Sequence, residues 1–316
     1  MGKRICIIGG TGFVGRVIAR QAVDAGHEVS VTSRHPERAR DMLVKGIQVL
    51  KSDITTGKGI EDAMQGCDTV INLVGLLFPT RRNSFEAAHS KGANHVIDAC
   101  KKTGVSQLLH MSALLSDAAI AHTEYGKTKH QAEEYVRQSG LNWTIFRPSI
   151  IIGSQDSFLM RFKQLSSIGS VLPVISGDTK FQPIWVEDVA RAFVQSIGNP
   201  KVQQQVYTLA GNDVYTFKAM LDMWMQALGR KRTLLPVPNI GAKIIATVSK
   251  FLPTPIITAD QLKLLQYDNL SQGEAFPSIF GETTAFTSLL PSLATGGQAA
   301  QLQQALNKAR THYRRS

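Results

Sequence analysis

Ile5-Cys6-Ile7-Ile8-Gly9-Gly10-Thr11-Gly12-Phe13-Val14-Gly15 decides how the rest of the chain is read. Residues 4–8 form a short apolar run with the character of a buried strand. Residues 13–25 carry apolar side chains at helical spacing, and Gly26 ends the pattern. Between the two, Gly10, Gly12 and Gly15 satisfy the G-x-G-x-x-G spacing. Glycines so placed permit a tight turn and let the backbone approach a pyrophosphate. The start of the following helix supplies N–H groups and the positive end of its dipole. The bare spacing is weak evidence, but its position after the first strand of an alternating chain strengthens it. Gly9, Gly10, Thr11, Gly12, Phe13, Val14 and Gly15 are therefore candidate cofactor-binding residues.

Working outward, further strands are expected at 28–32, 47–50, 69–74, 107–112 and 142–146, with helices at 59–64, 84–102 and 124–138. Continuously apolar strands alternating with helices argue for a parallel sheet covered on both faces. Right-handed crossovers make a Rossmann-type, doubly wound α/β fold the economical solution. After Pro148 the rhythm loosens. Thr216 can cap a helix whose apolar face is Phe217, Met220, Leu221, Trp224 and Leu228, ending at Gly229. Ile240, Ile244, Ile245, Val248, Phe251 and Leu252 form a second helical stripe, stopped by Pro253 and Pro255. Residues 298–316 read as a Gln/Ala-rich helix with a basic end. The expected organisation is a dinucleotide-binding domain at 1–150 and a smaller α+β C-terminal subdomain at 151–316, part of which returns to the sheet.

Composition agrees with a globular fold. Of 316 residues, 43% are apolar and 19% charged, which excludes disordered, collagen-like and coiled-coil chains. Cys6, Cys67 and Cys100 are too scattered for a disulfide framework and lack metal-ligand spacing, so no metal site is expected. No stretch of about 18 apolar residues would span a bilayer. The default compartment is reducing and cytoplasmic. The formal charge is +11 and the pI about 9.7. The basic residues form no single block and no nucleic-acid-binding motif is present, so no nucleic-acid partner is expected. Arg230, Lys231, Arg232, Lys243 and Lys250 accompany the second apolar stripe. That segment either lies on an anionic membrane surface or packs on the protein's own core.

The choice of cofactor is read where the second strand ends, at Val31-Thr32-Ser33-Arg34-His35. An NAD site usually has an acid there. None occurs between Val29 and Pro36. Arg34 offers a planar cation for a 2′-phosphate, and Ser33 a hydroxyl. NADP(H) is therefore favoured, with NAD(H) as the alternative. Asp53 and Ile54, following the third strand, suit the adenine. Leu73, Val74 and Gly75, following the fourth, suit close backbone approach to the dinucleotide. Each pair of readings stays open against an ordinary strand-end turn.

Tyr125 and Lys129 stand four apart on the helix after strand five and so share a face. A lysine ammonium beside a phenol lowers its pKa, and such a phenol exchanges a proton with a substrate during hydride transfer. The lysine can also bond the nicotinamide ribose. His110, His122 and His130 flank this helix without metal-ligand spacing. Arg81 and Arg82 either meet an acidic group or are loop charges. Glu187 and Asp188 need not face one pocket, and Asp188 reads as a structural cap.

The glycine loop, Asp53-Ile54, residues 72–75, Tyr125-x-x-x-Lys129 and Arg147-Pro148-Ser149 together resemble the short-chain dehydrogenase/reductase superfamily. Residues 183–190 and 207–211 look like its extended and atypical branches. Residues 258–269, Thr-Ala-Asp-Gln-Leu-Lys-Leu-Leu-Gln-Tyr-Asp-Asn, resemble the family of the nucleotide-binding accessory subunit of respiratory complex I. The resemblance implies cofactor contacts at Pro148, Ser149 and Ile150, and a catalytic set of Tyr125, Lys129 and Ser112, with Ser112 thirteen residues before Tyr125. It further implies a tightly held NADPH and a place peripheral to the inner face of a membrane, in a respiratory complex. Two alternatives stand beside that accessory or assembly role. One is an active oxidoreductase or epimerase using Tyr125 and Lys129 on a quinone, ketone or nucleotide sugar. The other is an NADP(H) redox-sensing binding protein.

Overall fold

The computed structural model describes residues 2–80, 83–238, 241–242, 246 and 257–296. Arg81, Arg82, the stripe of Ile240, Ile244, Ile245, Val248, Phe251 and Leu252 with Lys243, Lys250, Pro253 and Pro255, and the helix expected at 298–316 lie outside these residues.

In chain order the elements are β1 (Arg4–Ile8), α1 (Phe13–Asp24), β2 (Glu28–Ser33), β3 (Gln48–Lys51), α2 (Ile60–Met64), β4 (Thr69–Asn72), α3 (Gly92–Thr103), β5 (Gln107–Met111), α4 (Asp117–His122), α5 (Glu124–Arg137) and β6 (Asn142–Pro148). There follow β7 (Ile151–Ile152), α6 (Ser157–Leu165), β8 (Val171–Ile175), β9 (Lys180–Phe181), β10 (Ile184–Trp185), α7 (Val186–Ser196), β11 (Gln205–Leu209), β12 (Tyr215–Thr216), α8 (Phe217–Ala227), β13 (Thr233–Val237), α9 (Ala259–Leu264) and α10 (Phe286–Thr295).

Seven strands form one sheet in the order β3-β2-β1-β4-β5-β6-β11, with every pair parallel. This is the doubly wound α/β arrangement, and its order reverses between β1 and β4. Ligands of such sheets bind beyond the carboxyl ends of the strands at that reversal. The register brings the relevant exits together. Ile8 is level with Thr32 and with Asn72, and Asn72 with His110. Gly9, Ser33, Leu73 and Met111 therefore leave along one edge. β11, from the chain's second half, pairs with β6 from Gln205↔Thr144 to Leu209↔Pro148.

The strands are buried on both faces. Ile5, Ile7, Val29, Val31, Ile71 and Leu109 pack under α1 and α7. Cys6, Ile8, Val70, Leu108 and Ile145 pack under α2, α3 and α5. A separate core, of Ile152, Leu159, Leu172, Met220, Trp224, Leu289 and Leu293, holds α6, α8 and α10. Thr216 caps α8 by accepting from the Ala219 N–H, as its spacing predicts. α7 and α10 carry apolar stripes that the sequence reading did not resolve into helices.

Most boundaries fall within one or two residues of expectation, and two of the differences have a visible cause. The helix expected at 84–102 divides into a π-helical turn, Glu86–Lys91, and α3. The wider turn carries His89 and Ser90 onto α5, where they bond Thr128 Oγ1 and Gln131 Oε1 at 2.9 and 2.8 Å. β4 stops at Asn72 because the Asn72 side chain accepts the Val74 N–H, ending the ladder.

Candidate functional site

The glycine loop turns because Gly9 adopts φ +81°, with Val74 Cγ2 lying 3.0 Å from where a Cβ would stand. Gly10 and Gly15 are in backbone contact: a Cβ on Gly15 would come within 2.5 Å of Gly10 Cα. Gly12 differs. A Cβ there would meet only Gly9 O, at 3.3 Å. Gly12 is the N-cap of α1, no side chain caps the helix, and its first turn holds no acid. An uncapped helix start beside open space suits an anion, so these residues fit the pyrophosphate of a dinucleotide. The Phe13 ring lies against Gly153, and Val14 packs on the core, leaving both to act through their backbone. Thr11 O accepts from Arg16 Nε at 3.0 Å, and Arg16 pairs with Asp41 at 2.6 Å, which ties the loop to residues 36–45.

At the exit of β2, Arg34 is exposed and Ser33 half-buried. Ser33 Oγ accepts the His35 N–H at 3.1 Å. Asp53 Oδ1 accepts from Thr55 N and Thr55 Oγ1 at 2.9 and 2.7 Å, so its carboxylate shapes the strand-end turn. Ile54 is buried, with its carbonyl held by His95 at 2.8 Å. Leu73 and Val74 pack into opposite faces of the sheet beside the loop.

Tyr125 and Lys129 are brought together with Gly75 and with His89, a residue the sequence reading passed over. A Cβ on Gly75 would stand 3.2 Å from Lys129 Nζ and 3.9 Å from His89 Nε2. The His89 and Phe85 rings meet the Tyr125 ring edge-on at 5.5 and 5.8 Å. His89 Nε2 accepts the Leu76 N–H at 2.9 Å, so its Nδ1 carries the proton and donates to Thr128 Oγ1. Burial, followed by the nearby Lys129 charge, holds His89 neutral by lowering its pKa. Its ring is thus a fixed wall tying the Gly75–Leu76 loop to α5.

The electrostatics correct one expectation. The phenol of Tyr125 is not lowered but pushed up to about 12 by burial. Lys129 instead donates to Met111 O at 3.0 Å, and burial lowers it to about 8 against the opposing pull of Glu133. One of the three ammonium N–H donors is thus engaged by a backbone carbonyl.

Beneath the pair runs a buried polar row. Glu133 is 2% exposed and receives Arg147 through Nε and Nη2 at 2.9 and 2.5 Å, and Arg137 at 3.1 Å. Burial raises its carboxyl, but the Arg147 bonds and charge overcome this and hold it below its ordinary value. Arg147 therefore clamps β6 to α5. Ser112 lies buried on the same side, near Glu133, with no hydrogen bond to Tyr125 or Lys129. Ser112 Oγ and His110 Nε2 are buried polar atoms without a hydrogen-bond partner among the described residues. His110 Nδ1 faces Asn72 Nδ2 at 3.3 Å, and burial lowers His110 to about 3.

Pro148 O accepts the Leu114 N–H, Ser149 Oγ donates to Asn269 Oδ1, and Ile150 packs toward the C-terminal core. Glu187 and Asp188 face apart. Glu187 binds Arg20 and Gln21, whereas Asp188 binds Arg191 and the Thr284 N–H. His122 stacks on Tyr267. The contacts of His89, Asp260 and Asn269 carry no local signal, because their partners lie far away in sequence.

Residues 9–200 match a family described as NAD(P)H-binding. Over 279 residues the chain is 28% identical to the 40 kDa subunit of mitochondrial NADH-ubiquinone oxidoreductase from Neurospora crassa, covering 87% of this chain and 73% of that one. It is 26% identical over 297 residues to the ceramide reductase of Caulobacter vibrioides, covering 90% and 92%. Its fold is similar to that of an NADPH-dependent quinone oxidoreductase from Escherichia coli in complex with NADPH, with a TM-score of 0.72, 19% identity, and 92% and 99% of the chains covered. The chain thus belongs to the NAD(P)H-binding family, on an atypical short-chain dehydrogenase/reductase-like fold.

Proposed function

We propose that this protein holds NADP(H) as a bound component and serves as an accessory or assembly factor of a membrane respiratory complex related to NADH-ubiquinone oxidoreductase. The observation that carries the reading is the state of the Tyr–Lys pair. Lys129 Nζ is engaged by Met111 O, and the Tyr125 phenol is held protonated by burial. The chain beside it, Ala113-Leu114-Leu115, offers no polar side chain to hold a substrate. This arrangement suits holding a ribose more than exchanging protons with a diffusible substrate.

In this reading residues 9–15 cradle the pyrophosphate and Arg34, with Ser33, meets the 2′-phosphate. Asp53 and Ile54 border the adenine, and Leu73, Val74 and Gly75 border the dinucleotide backbone. Tyr125 and Lys129 hold the nicotinamide ribose, with Pro148, Ser149 and Ile150 beside the ring. Residues 1–150 then form the cofactor domain and 151–316 the partner-facing one. The similarity to a subunit of NADH-ubiquinone oxidoreductase supports the partner class. The site of action would be peripheral to the inner face of a membrane. No described helix is long and apolar enough to cross one.

A second reading is a reductase for an apolar carbonyl or quinone. The aromatic wall of Phe85, His89 and Tyr125 favours it, as does the similarity to a ceramide reductase. The cofactor would supply the hydride and Tyr125 the proton.

The test is to denature purified protein and identify released nucleotide by mass spectrometry, then to titrate stripped protein. At 100-fold over Kd, binding stabilises by about 2.7 kcal/mol, a melting shift of several degrees. Near-stoichiometric NADP(H), and co-migration of the protein with a respiratory complex in its own membranes, is the expected result. No released nucleotide and no shift with NADPH or NADH would refute the cofactor reading. Identical assembly of the complex in cells lacking the protein would refute the partner reading.

A further inference from the structure

The segment 258–271 enters the sequence analysis only as a mark of resemblance, yet its hydrogen bonds converge on one end of the site. Asp260 Oδ1 accepts the Glu124 N–H at 2.9 Å and Oδ2 accepts the Tyr125 N–H at 3.1 Å. Thr123 Oγ1 takes the Gly126 N–H at 3.0 Å. The first three N–H groups of α5 are thus satisfied by two side chains, one of which lies more than 130 residues away. α9, which carries Asp260, is itself fixed by a complete capping box between Thr258 and Gln261. Further along, Tyr267 stacks on His122 of α4 with ring centroids 6.1 Å apart. Asp268 Oδ1 and Asn269 N bind the backbone of Lys180 on β9, each at 2.8 Å. The Asn269 side chain bridges two strand exits. Its Oδ1 accepts from Ser149 Oγ, and its Nδ2 donates to Leu114 O.

We infer that Asp260 and Asn269 are positioning residues for the nicotinamide end of the bound cofactor, acting through Tyr125 and Ser149. This rests on the placement of Tyr125, Lys129 and Ser149 in the preceding subsection. The Asp260 carboxylate sets the direction of the first turn of α5, and so the position of Tyr125 and, one turn on, of Lys129. Asn269 fixes the gap between the exits of β5 and β6, on whose far side Ser149 lies. Among the described residues, the segment's hydrogen bonds reach Glu124, Tyr125, Leu114, Ser149, Thr179, Lys180 and Gln182, and none falls on the loop 9–15, Ser33, Asp53 or Ile54. The adenine half of the site is held independently. Removing these side chains therefore loosens one half of the ligand's site and leaves the other in place.

The experiment uses the full chain and two probes, NADPH and adenosine 2′,5′-bisphosphate, the second lacking the nicotinamide half. Affinities are measured by titration calorimetry on wild type, Asp260→Ala, Asp260→Asn, Asn269→Ala and Asn269→Asp. Asp260→Ala and Asn269→Ala are expected to weaken NADPH roughly tenfold, the equivalent of one lost charge-assisted or bridging bond. Binding of the bisphosphate stays within about twofold of wild type. Asn269→Asp keeps the acceptor for Ser149 but turns a second oxygen toward Leu114 O, so it weakens NADPH as Asn269→Ala does. Asp260→Asn retains the side-chain volume and serves if the alanine variant does not fold. Equal weakening of both probes would show general loosening and overturn the inference, as would variants that bind NADPH like wild type. A wild-type chain that binds neither probe would instead refute the cofactor reading itself, and this inference with it.

Discussion

Two alanine substitutions in the glycine loop separate what the loop does for the fold from what it does for a ligand. In Gly15→Ala the new Cβ would stand 2.5 Å from Gly10 Cα and 2.7 Å from Gly10 C and O. These are backbone atoms on the strand exit and cannot rotate away. Overpacking of this kind costs about 1–3 kcal/mol. Alanine's better helix propensity returns up to about 1 kcal/mol. The net loss of about 1–2 kcal/mol lowers Tm by roughly 2–3 °C in a chain of 316 residues. In Gly12→Ala the only neighbour is Gly9 O at 3.3 Å, and φ −74° with ψ 176° is open to any residue. The weaker N-cap costs up to about 1 kcal/mol, and reduced freedom of the unfolded chain returns about 0.4–1 kcal/mol. The Tm of this variant should stay within about 1 °C of wild type. Its methyl, however, occupies the opening over the first turn of α1. Losing two N–H bonds to a charged pyrophosphate at about 1.5 kcal/mol each weakens NADPH about 100-fold. Calorimetric melting and NADPH titration of both variants test this directly. A Gly12→Ala protein that binds NADPH within about threefold of wild type would show that the loop cradles no pyrophosphate. A Gly15→Ala protein as stable as Gly12→Ala would refute the packing argument.

The remaining predictions concern charge. Arg34→Ala should weaken NADPH by about 10- to 100-fold, the worth of a charged bond to phosphate, while leaving NADH within about twofold; equal loss for both nucleotides would remove Arg34 as the 2′-phosphate reader. Lys129 has a folded pKa of about 8, below its ordinary 10.5. Between those values the unfolded chain binds more protons than the folded one, so this group makes stability rise with pH. The penalty for burying the ammonium is full below pH 8 and is relieved as pH rises through it. Melting of the stripped protein from pH 7.5 to 9 should show that gain relative to Lys129→Met; identical profiles would show that Lys129 is not held in a desolvated position.

The α/β class and the strand sequence were legible because they rest on short-range physics. Short, largely apolar runs such as residues 5–8, recurring between helical patterns, suit a sheet covered on both faces, and the helices between them end at glycines such as Gly104, which takes φ +72°. Gly9 to Gly15, Tyr125 and Lys129 could be picked out because their spacings are local. The absence of an acid between Val29 and Pro36 could be read the same way. Asp188, read as a structural cap or hydrogen-bond partner, bonds Arg191 and the Thr284 N–H while its neighbour Glu187 faces Arg20, since adjacent residues on a helix point in different directions.

Other features depended on the assembled fold. Four-residue spacing put Tyr125 and Lys129 on one face, but the direction of the phenol's pKa follows from burial in the assembled fold, where Phe85 and His89 pack on its ring. Lys129 is drawn to Met111 O, whose position is set by β5 and not by α5. Fourteen residues apart, Glu133 and Arg147 carry no local sign of pairing; the crossing of α5 over β6 makes them a buried clamp. Asp260 reaches Tyr125 N and Asn269 reaches Ser149 only because the chain returns across the carboxyl edge of the sheet. Sequence by itself determined the periodicities, the turns and the kinds of chemistry available. Tertiary structure decided which distant charges are paired and which protons are held, because burial and through-space contact, unlike backbone preference, are not properties of neighbouring residues.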